Sequence, residues 1–306
     1  MRVVMVGFFV LAGGAVAGET EGPRDLGSLI DDLRDDEVRW NAIAAMDAIL
    51  LADASPVGML QQALESGDRQ QRQLAGFLLR RIIRRATPFW YSDQSVEDLV
   101  RDGRLPSWWL DPKPDVTEAL LRVSVEALSA DDMPYQRRGN VMVYNAASAV
   151  PFLVEHVEAA RSLLVEAAAG DGRQARWLAA WCLGTGGVSD EAGLVCAIMI
   201  PHLRDNEIEG DAVHACAAIY RLGPAAVPYL REALADADEQ QRALIELLVR
   251  DIEAPPRTRE DLEKRGRLQE ITGVVHDPAV EVGEGGAFID VLRPFWGASG
   301  GAVRRR

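Results

Sequence analysis

Lysine is nearly missing from this 306-residue chain: of its 33 basic residues only Lys113 and Lys264 are lysine, so its cations are the planar, fork-shaped donors of arginine. Cysteine is limited to Cys182, Cys196 and Cys216, an odd number without zinc-like spacing, each inside an apolar stretch of helical pattern. Two readings fit them, buried free thiols or one Cys196–Cys216 disulfide. The four histidines, His156, His202, His214 and His276, make no HxxxH or HExxH arrangement, so neither a metal centre nor a cofactor is expected. The chain has no GxSxG, P-loop or GxGxxG, and His214 and Cys216, two apart, fall on different sides of a helix. No catalytic constellation emerges, and the expectation is a protein that is not an enzyme.

Aromatic residues are scarce, at 6%, while alanine and leucine abound, which suits close helix packing more than sheet. With 47 acidic residues the formal net charge is −14, against a role as a nucleic-acid binder, because neutralising phosphates needs a concentrated basic surface. An acidic surface favours basic partners. The 48% of hydrophobic residues is ample for a core, and the length fits one elongated array as well as two globules.

Residues 1–17, MRVVMVGFFVLAGGAVA, carry one cation at Arg2, an apolar run from Val3 to Ala12, and Ala15-Val16-Ala17. That is the form of a secretory signal peptide with an A-x-A cleavage site. The run falls short of the ~20 apolar residues of a spanning helix. The reading is an exported protein, periplasmic or extracellular, without stable membrane insertion after cleavage.

The remaining chain repeats a theme of apolar helix, acidic turn and second helix. Residues 211–252 show it most clearly: after Gly223-Pro224, Ala226, Val227, Tyr229, Leu230, Ala233 and Leu234 recur at spacings of three and four, and Asp236, Ala237 and Asp238 make a turn before Gln240 to Val249. Upstream, Arg24 to Leu33 pairs with Glu37 to Leu51. Ser55, read as an N-cap with Pro56 at the first helical position, opens a helix that pairs with Arg69 to Ala86. Pro114 to Ala130 pairs with a helix beginning near Tyr135, Val157 to Ala169 with Arg173 to Leu183, and Asp190 to Leu203 with Ile208 to Leu222. The first two units start roughly 32 residues apart, a solenoid period. The expectation is an all-α fold over 18–254, a right-handed α-solenoid of about six helix pairs.

The stretch from Leu29 to Leu50, LIDDLRDDEVRWNAIAAMDAIL, with Asp35, Asp36, Val38, Arg39, Ala42, Ala44 and Ala45, resembles the HEAT repeat, close to the HEAT-like repeats of phycobilin lyases. GPAAVPYLREAL, from Gly223 to Leu234, resembles that family's opening helix. The resemblance covers Arg24 to Ile252 and implies a scaffold for a protein partner. It also implies a ladder of turn Asp and second-helix Arg: Asp36 with Arg39, Asp68 with Arg72, Asp132 with Arg137, Asp171 with Arg176, and Asp238 with Arg242. Some relatives are enzymes, including bilin lyases, a DNA glycosylase and an iron-dependent hydroxylase. The hydroxylase uses His-Glu dipeptides, which this chain does not contain.

One segment interrupts the array. Residues 88–115, PFWYSDQSVEDLVRDGRLPSWWLDPKPD, hold four prolines that forbid a long helix, with a short one possible from Ser95 to Val100. Five aromatics cluster there, among them Trp90, Tyr91, Trp108 and Trp109. They either plug the gap left by an irregular repeat or form a binding platform. Just before them, Arg80, Arg81, Arg84 and Arg85 end a helix. These are either a solvated face complementing the helix terminus or a clamp for a partner's carboxylate or phosphate. Trp177 and Trp181, four apart in an apolar helix, are read as core.

After Ile252 the pattern ends. Residues 255–306 read as a charged helix, Thr258 to Gln269, and a flexible Gly-rich tail. In that tail Phe288, Ile289, Val291, Leu292, Phe295 and Trp296 either cap the last repeat or serve as a linear motif. The functional expectation is a non-catalytic, exported scaffold for protein–protein interaction. An enzyme or lyase-like subunit with its site in the insertion, and a structural envelope component, are the alternatives.

Overall fold

The computed structural model describes residues 25–34, 39–86, 94–129, 134–138, 141–204 and 209–254. The signal-like segment 1–17, Trp90, Tyr91 and the tail 255–306 lie outside the described residues. Helix dominates. The helices are α1 (Leu26–Asp31), α2 (Arg39–Leu51), α3 (Val57–Ser66), α4 (Arg69–Arg84), α5 (Val96–Arg101), α6 (Glu118–Glu126), α7 (Asn145–Glu155), α8 (Val157–Ala169), α9 (Arg173–Thr185), α10 (Ala192–Met199), α11 (Glu209–Arg221), α12 (Val227–Ala233) and α13 (Glu239–Glu253).

Local chemistry sets many of the boundaries. Asp25, Asp68, Ser95, Thr117 and Asp238 cap α1, α4, α5, α6 and α13, each side chain accepting from the backbone N–H three residues on. Ser55 does not cap α3. Pro56 holds that position without a side-chain bond, its ring occupying the place where a hydroxyl or carboxylate would otherwise reach the first turn. Gly223, at φ 62°, opens a 3₁₀ turn that leads into α12, a conformation that costs an L side chain strain and costs glycine none.

The helices associate in order. Within the chain α1 packs on α2, α3 on α4, α6 on α7, α8 on α9, α10 on α11 and α12 on α13. The second member of each pair meets the second member of the next, from α2 to α4, α7, α9, α11 and α13. The first members α1, α3, α6 and α8 touch in the same succession, as do α10 and α12. One continuous apolar cluster runs from Leu29 to Leu248 through this stack. Each pair therefore buries its apolar stripes against its neighbours, the arrangement that short amphipathic helices require. Trp177 and Trp181 are in that core, as their spacing implies.

The third pair departs from expectation. A helix does not begin near Tyr135; Pro134–Arg138 (β1) and Val141–Tyr144 (β2) form an antiparallel hairpin, and α7 starts at Asn145. Pro134 lacks the amide hydrogen, Gly139-Asn140 is a hairpin dipeptide, and the valines and tyrosines beside it favour extended backbone. The three cysteines are free and buried, so the Cys196–Cys216 disulfide is absent.

Two glycines allow helices to touch. A Cβ at Gly184 of α9 would lie 2.8 Å from the Ala218 Cβ and 3.0 Å from the Ala218 carbonyl oxygen of α11. A Cβ at Gly76 of α4 would lie 2.8 Å from Val123 Cγ1 of α6. Either methyl would hold the helices apart.

Candidate functional site

The four arginines at the end of α4 do not form one surface. Arg80 is fully buried, at 0% exposure. Its Nη1 donates to Ser124 Oγ at 3.1 Å, its Nε to Ser148 Oγ at 3.4 Å, and its Nη2 to Asn145 Oδ1. Asn145 passes the network on, donating from Nδ2 to Gln73 Oε1 at 2.6 Å, and Ser124 donates to the Leu120 carbonyl. A guanidinium taken out of water costs several kcal/mol unless its donors are satisfied, and here α6 and α7 supply the acceptors. Arg80 is thus an interior tie among three helices and is shielded from any partner.

The other three arginines sit at the rim. Arg81 lies over the Phe77 ring, 5.8 Å from its centroid. Arg84 Nε is 3.0 Å from Glu155 Oε1 of α7, and Arg85 Nη1 is 3.2 Å from Glu97 Oε1 of α5. Arg85 also donates from Nη2 to the Asp111 carbonyl, and its backbone, at φ 51°, ends α4 in the left-handed region. The carboxylates that these two guanidinium groups meet belong to the same chain.

Trp108 and Trp109 are likewise turned inward, at 6% and 2% exposure. They occupy a 3₁₀ turn, Ser107–Leu110, with ring centroids 5.1 Å apart and planes at 20°. Trp108 Nε1 donates to the Ala52 carbonyl at 2.7 Å, and Trp109 Nε1 to the Leu50 carbonyl at 3.0 Å. Those carbonyls end α2, where an α-helix leaves its last C=O groups without intrahelical partners. The described part of the insertion is therefore fastened to the end of α2, with Arg85 reaching it from the end of α4. Beside it Leu51 and Leu110 are exposed.

Two of the second helices are enclosed over long stretches. From 73 to 80 α4 is buried at every position, and α9 is so from 177 to 185. A helix that is apolar all round, as WLAAWCLGT is, seeks cover on every side. Exposed carboxylates lie on several first helices, Glu65 on α3, Glu118 and Glu126 on α6, Glu158 and Glu166 on α8 and Glu232 on α12, and also on α13, at Glu239, Glu246 and Glu253. Arg122 and Arg231 share that surface, Arg122 within 2.9 Å of Glu118 and Arg231 within 2.6 Å of Glu253.

Sequence reasoning overlooked glutamine. Gln71 Nε2 donates to the Ile30 carbonyl at 2.9 Å, and Gln70 Nε2 to the carbonyls of Leu33, at 3.3 Å, and Arg34, at 2.9 Å. The same contacts recur from Gln241 to Ile200, at 3.0 Å, and from Gln240 to Leu203, at 3.1 Å. Gln174 repeats the outer contact on Leu128 at 3.0 Å. These amides link one pair to the preceding one, as does Arg204, 4.0 Å from Asp238, while Gln73 Nε2 donates to the Val123 carbonyl of the following pair at 3.4 Å. Arg72 and Arg242 instead donate to the carbonyls of Gly67 and Ala237, just before their own helices. The signal was in plain view: 57–72 and 227–242 share V-x-x-L-x-x-A-L-x-x-x-D-x-Q-Q-R at identical spacing.

Chemically reactive groups are muted. Burial pushes the Cys196 and Cys216 thiols up to about 12 and raises that of Cys182 as well. Asp98 is held below the usual carboxylate range by the Ser95 hydroxyl and then by Arg101. Among the described residues no three His, Cys, Asp or Glu side chains converge as metal ligands, and no helix is long and apolar enough to cross a membrane. Set beside family models, curated proteins and solved structures, the chain finds no match in any of the three.

Proposed function

We propose that residues 18–254 form a right-handed, HEAT-like α-solenoid of six helix pairs, and that this solenoid is a non-catalytic scaffold for a protein partner. Export directed by residues 1–17 would place it in the periplasm or outside the cell. The observation that carries the reading is a set of exposed carboxylates distributed along the stack. α4 and α9 are enclosed over 73–80 and 177–185, so those side chains are spent on cohesion. Exposed carboxylates on α3, α6, α8 and α12 are spread over four of the six pairs. A surface of that kind suits a basic polypeptide bound along its length, because many weak, screened ion pairs give steering and orientation with little cost to desolvate.

The test is capture from the exported fraction with the wild-type chain and with Glu158→Lys/Glu166→Lys. A defined protein that is retained by the first, released by added salt and lost with the second supports the scaffold. Capture that is indifferent to both salt and charge reversal would remove this face from consideration. Solution scattering tests the architecture separately, since a compact globule in place of an elongated arc contradicts the solenoid. N-terminal sequencing of the exported chain tests cleavage, with Gly18 as the expected first residue.

A further inference from the structure

α13 is unlike the second helices inside the stack. Whereas α4 is buried at every position from 73 to 80 and α9 from 177 to 185, α13 buries one face only, through Gln241, Leu244, Ile245, Leu248 and Asp251. On the opposite face Glu239, Arg242, Glu246, Arg250 and Glu253, three or four residues apart, are exposed. A helix with one apolar stripe and one charged stripe suits the end of an array, where no further pair follows.

That charged stripe decides between the two uses of the apolar residues beyond it. Phe288, Ile289, Val291, Leu292, Phe295 and Trp296 would serve as a cap only against an apolar face. Laid on α13 they would strip water from charged groups without replacing its hydrogen bonds. The rest of the described surface offers them no better seat. Its exposed large apolar side chains are Leu51, Met59 and Leu110, on the first two pairs and the insertion, and Tyr229, on the sixth pair.

The composition of the segment narrows what it fits. Pro294 has no amide hydrogen and disfavours helical backbone at Arg293, so the sequence does not support one continuous amphipathic helix of the kind that lies on a membrane. The net charge of −14 also opposes approach to an anionic lipid surface. An extended peptide of apolar side chains with one arginine suits a groove on another protein, whose apolar floor takes the rings and whose acidic rim takes Arg293.

We infer that α13 closes the array and that residues 288–296 are a docking motif for an apolar groove on a second protein, separate from the acidic face of the solenoid. Phe295 and Trp296 are its anchors, because large aromatic side chains concentrate binding energy at interfaces.

The full chain carrying Phe295→Asp/Trp296→Asp tests both halves. Its urea midpoint is expected to equal that of the wild type, whereas Leu248→Ala, on the buried face of α13, should lower it. Capture from the exported fraction tests the docking. A protein retained by the wild type, reduced about tenfold or more with the aromatic double variant and eluted by a synthetic peptide of residues 286–298 supports the motif. Its retention by Glu158→Lys/Glu166→Lys keeps this outcome distinct from binding on the acidic face. A lowered urea midpoint in the aromatic double variant would overturn the inference in favour of a cap. Co-sedimentation of the wild type, and not of that variant, with anionic phospholipid vesicles would overturn it in favour of a membrane contact. Capture that is unchanged by the substitutions and uncompeted by the peptide would show that the segment does not dock.

Discussion

The indole N–H of Trp109 reaches 59 residues back along the chain to the carbonyl of Leu50, at 3.0 Å, and fastens a loop to the end of a helix. Trp108 does the same to Ala52. A tryptophan is large enough to fill a gap between helix pairs and also carries one donor, so a single side chain can exclude water and replace its hydrogen bond.

Replacing Trp109 separates those two roles. Trp109→Phe keeps most of the volume and should cost about 1–3 kcal/mol, the penalty of an unsatisfied buried carbonyl. Trp109→Ala should cost about 3–5 kcal/mol, since the cavity is added. Urea denaturation followed by circular dichroism measures both. Equal costs for the two would mean that the bond to Leu50 contributes nothing.

The arginines at the end of α4 should rank by burial. Arg80→Met leaves Ser124 and Asn145 facing an apolar group in the interior, and breaking such a buried arrangement typically costs about 3–5 kcal/mol. Arg84→Ala removes a partly exposed pair with Glu155 and should cost less than about 1 kcal/mol. Thermal melts of the two variants decide it, and similar values would contradict the assignment of Arg80 to the interior.

The thiols should be silent in the folded protein. Incubation with iodoacetamide at neutral pH is expected to leave Cys182, Cys196 and Cys216 unlabelled until denaturant is added, because burial both hides them and raises their pKa. The same shift sets a stability profile. An unfolded thiol ionises near its ordinary value of about 8.5, whereas the folded Cys196 and Cys216 hold their protons to about 12. Their contribution is intact below the ordinary value and is lost as pH rises through that window. Folding free energy measured from pH 8 to 11 should therefore fall, and Cys196→Ala/Cys216→Ala should flatten the decline.

Two glycines of similar crowding should respond differently to alanine. At Gly193 the nearest atom to an added Cβ is the Tyr229 hydroxyl, at 2.9 Å, the tip of an exposed side chain that can swing away. At Gly184 it meets Ala218, including its backbone oxygen at 3.0 Å, and a helix would have to move. Gly193→Ala should change stability by less than about 0.5 kcal/mol and Gly184→Ala should destabilise by about 1–3 kcal/mol. Chemical denaturation of the pair is the measurement.

How much of this could be read in advance differs from residue to residue. The short amphipathic helices, the caps at Asp68 and Asp238 and the interior place of Trp177 follow from spacing and side-chain chemistry, both of which are local. The hairpin at 134–144 was also local, since proline, Gly-Asn and valines stand together, but a helical period extrapolated from the neighbouring units outweighed them. Arg80 was not legible: a run of four arginines reads as surface, and only the convergence of Ser124 and Asn145 from two other helices makes an interior site for one of them. Gln71 and Gln241 lay in a repeated motif whose purpose depends on carbonyls about forty residues upstream.

By itself the sequence determined a helical chain of paired elements and a strong negative net charge, because hydrophobic period and capping act over a few residues and charge is a sum over the sequence. The tertiary structure alone decided where Arg80, Trp108 and Trp109 spend their hydrogen bonds and which carbonyls Gln71 and Gln241 reach. Those outcomes depend on groups brought together from distant parts of the chain, and the partner of a buried donor is set by packing that no single stretch encodes.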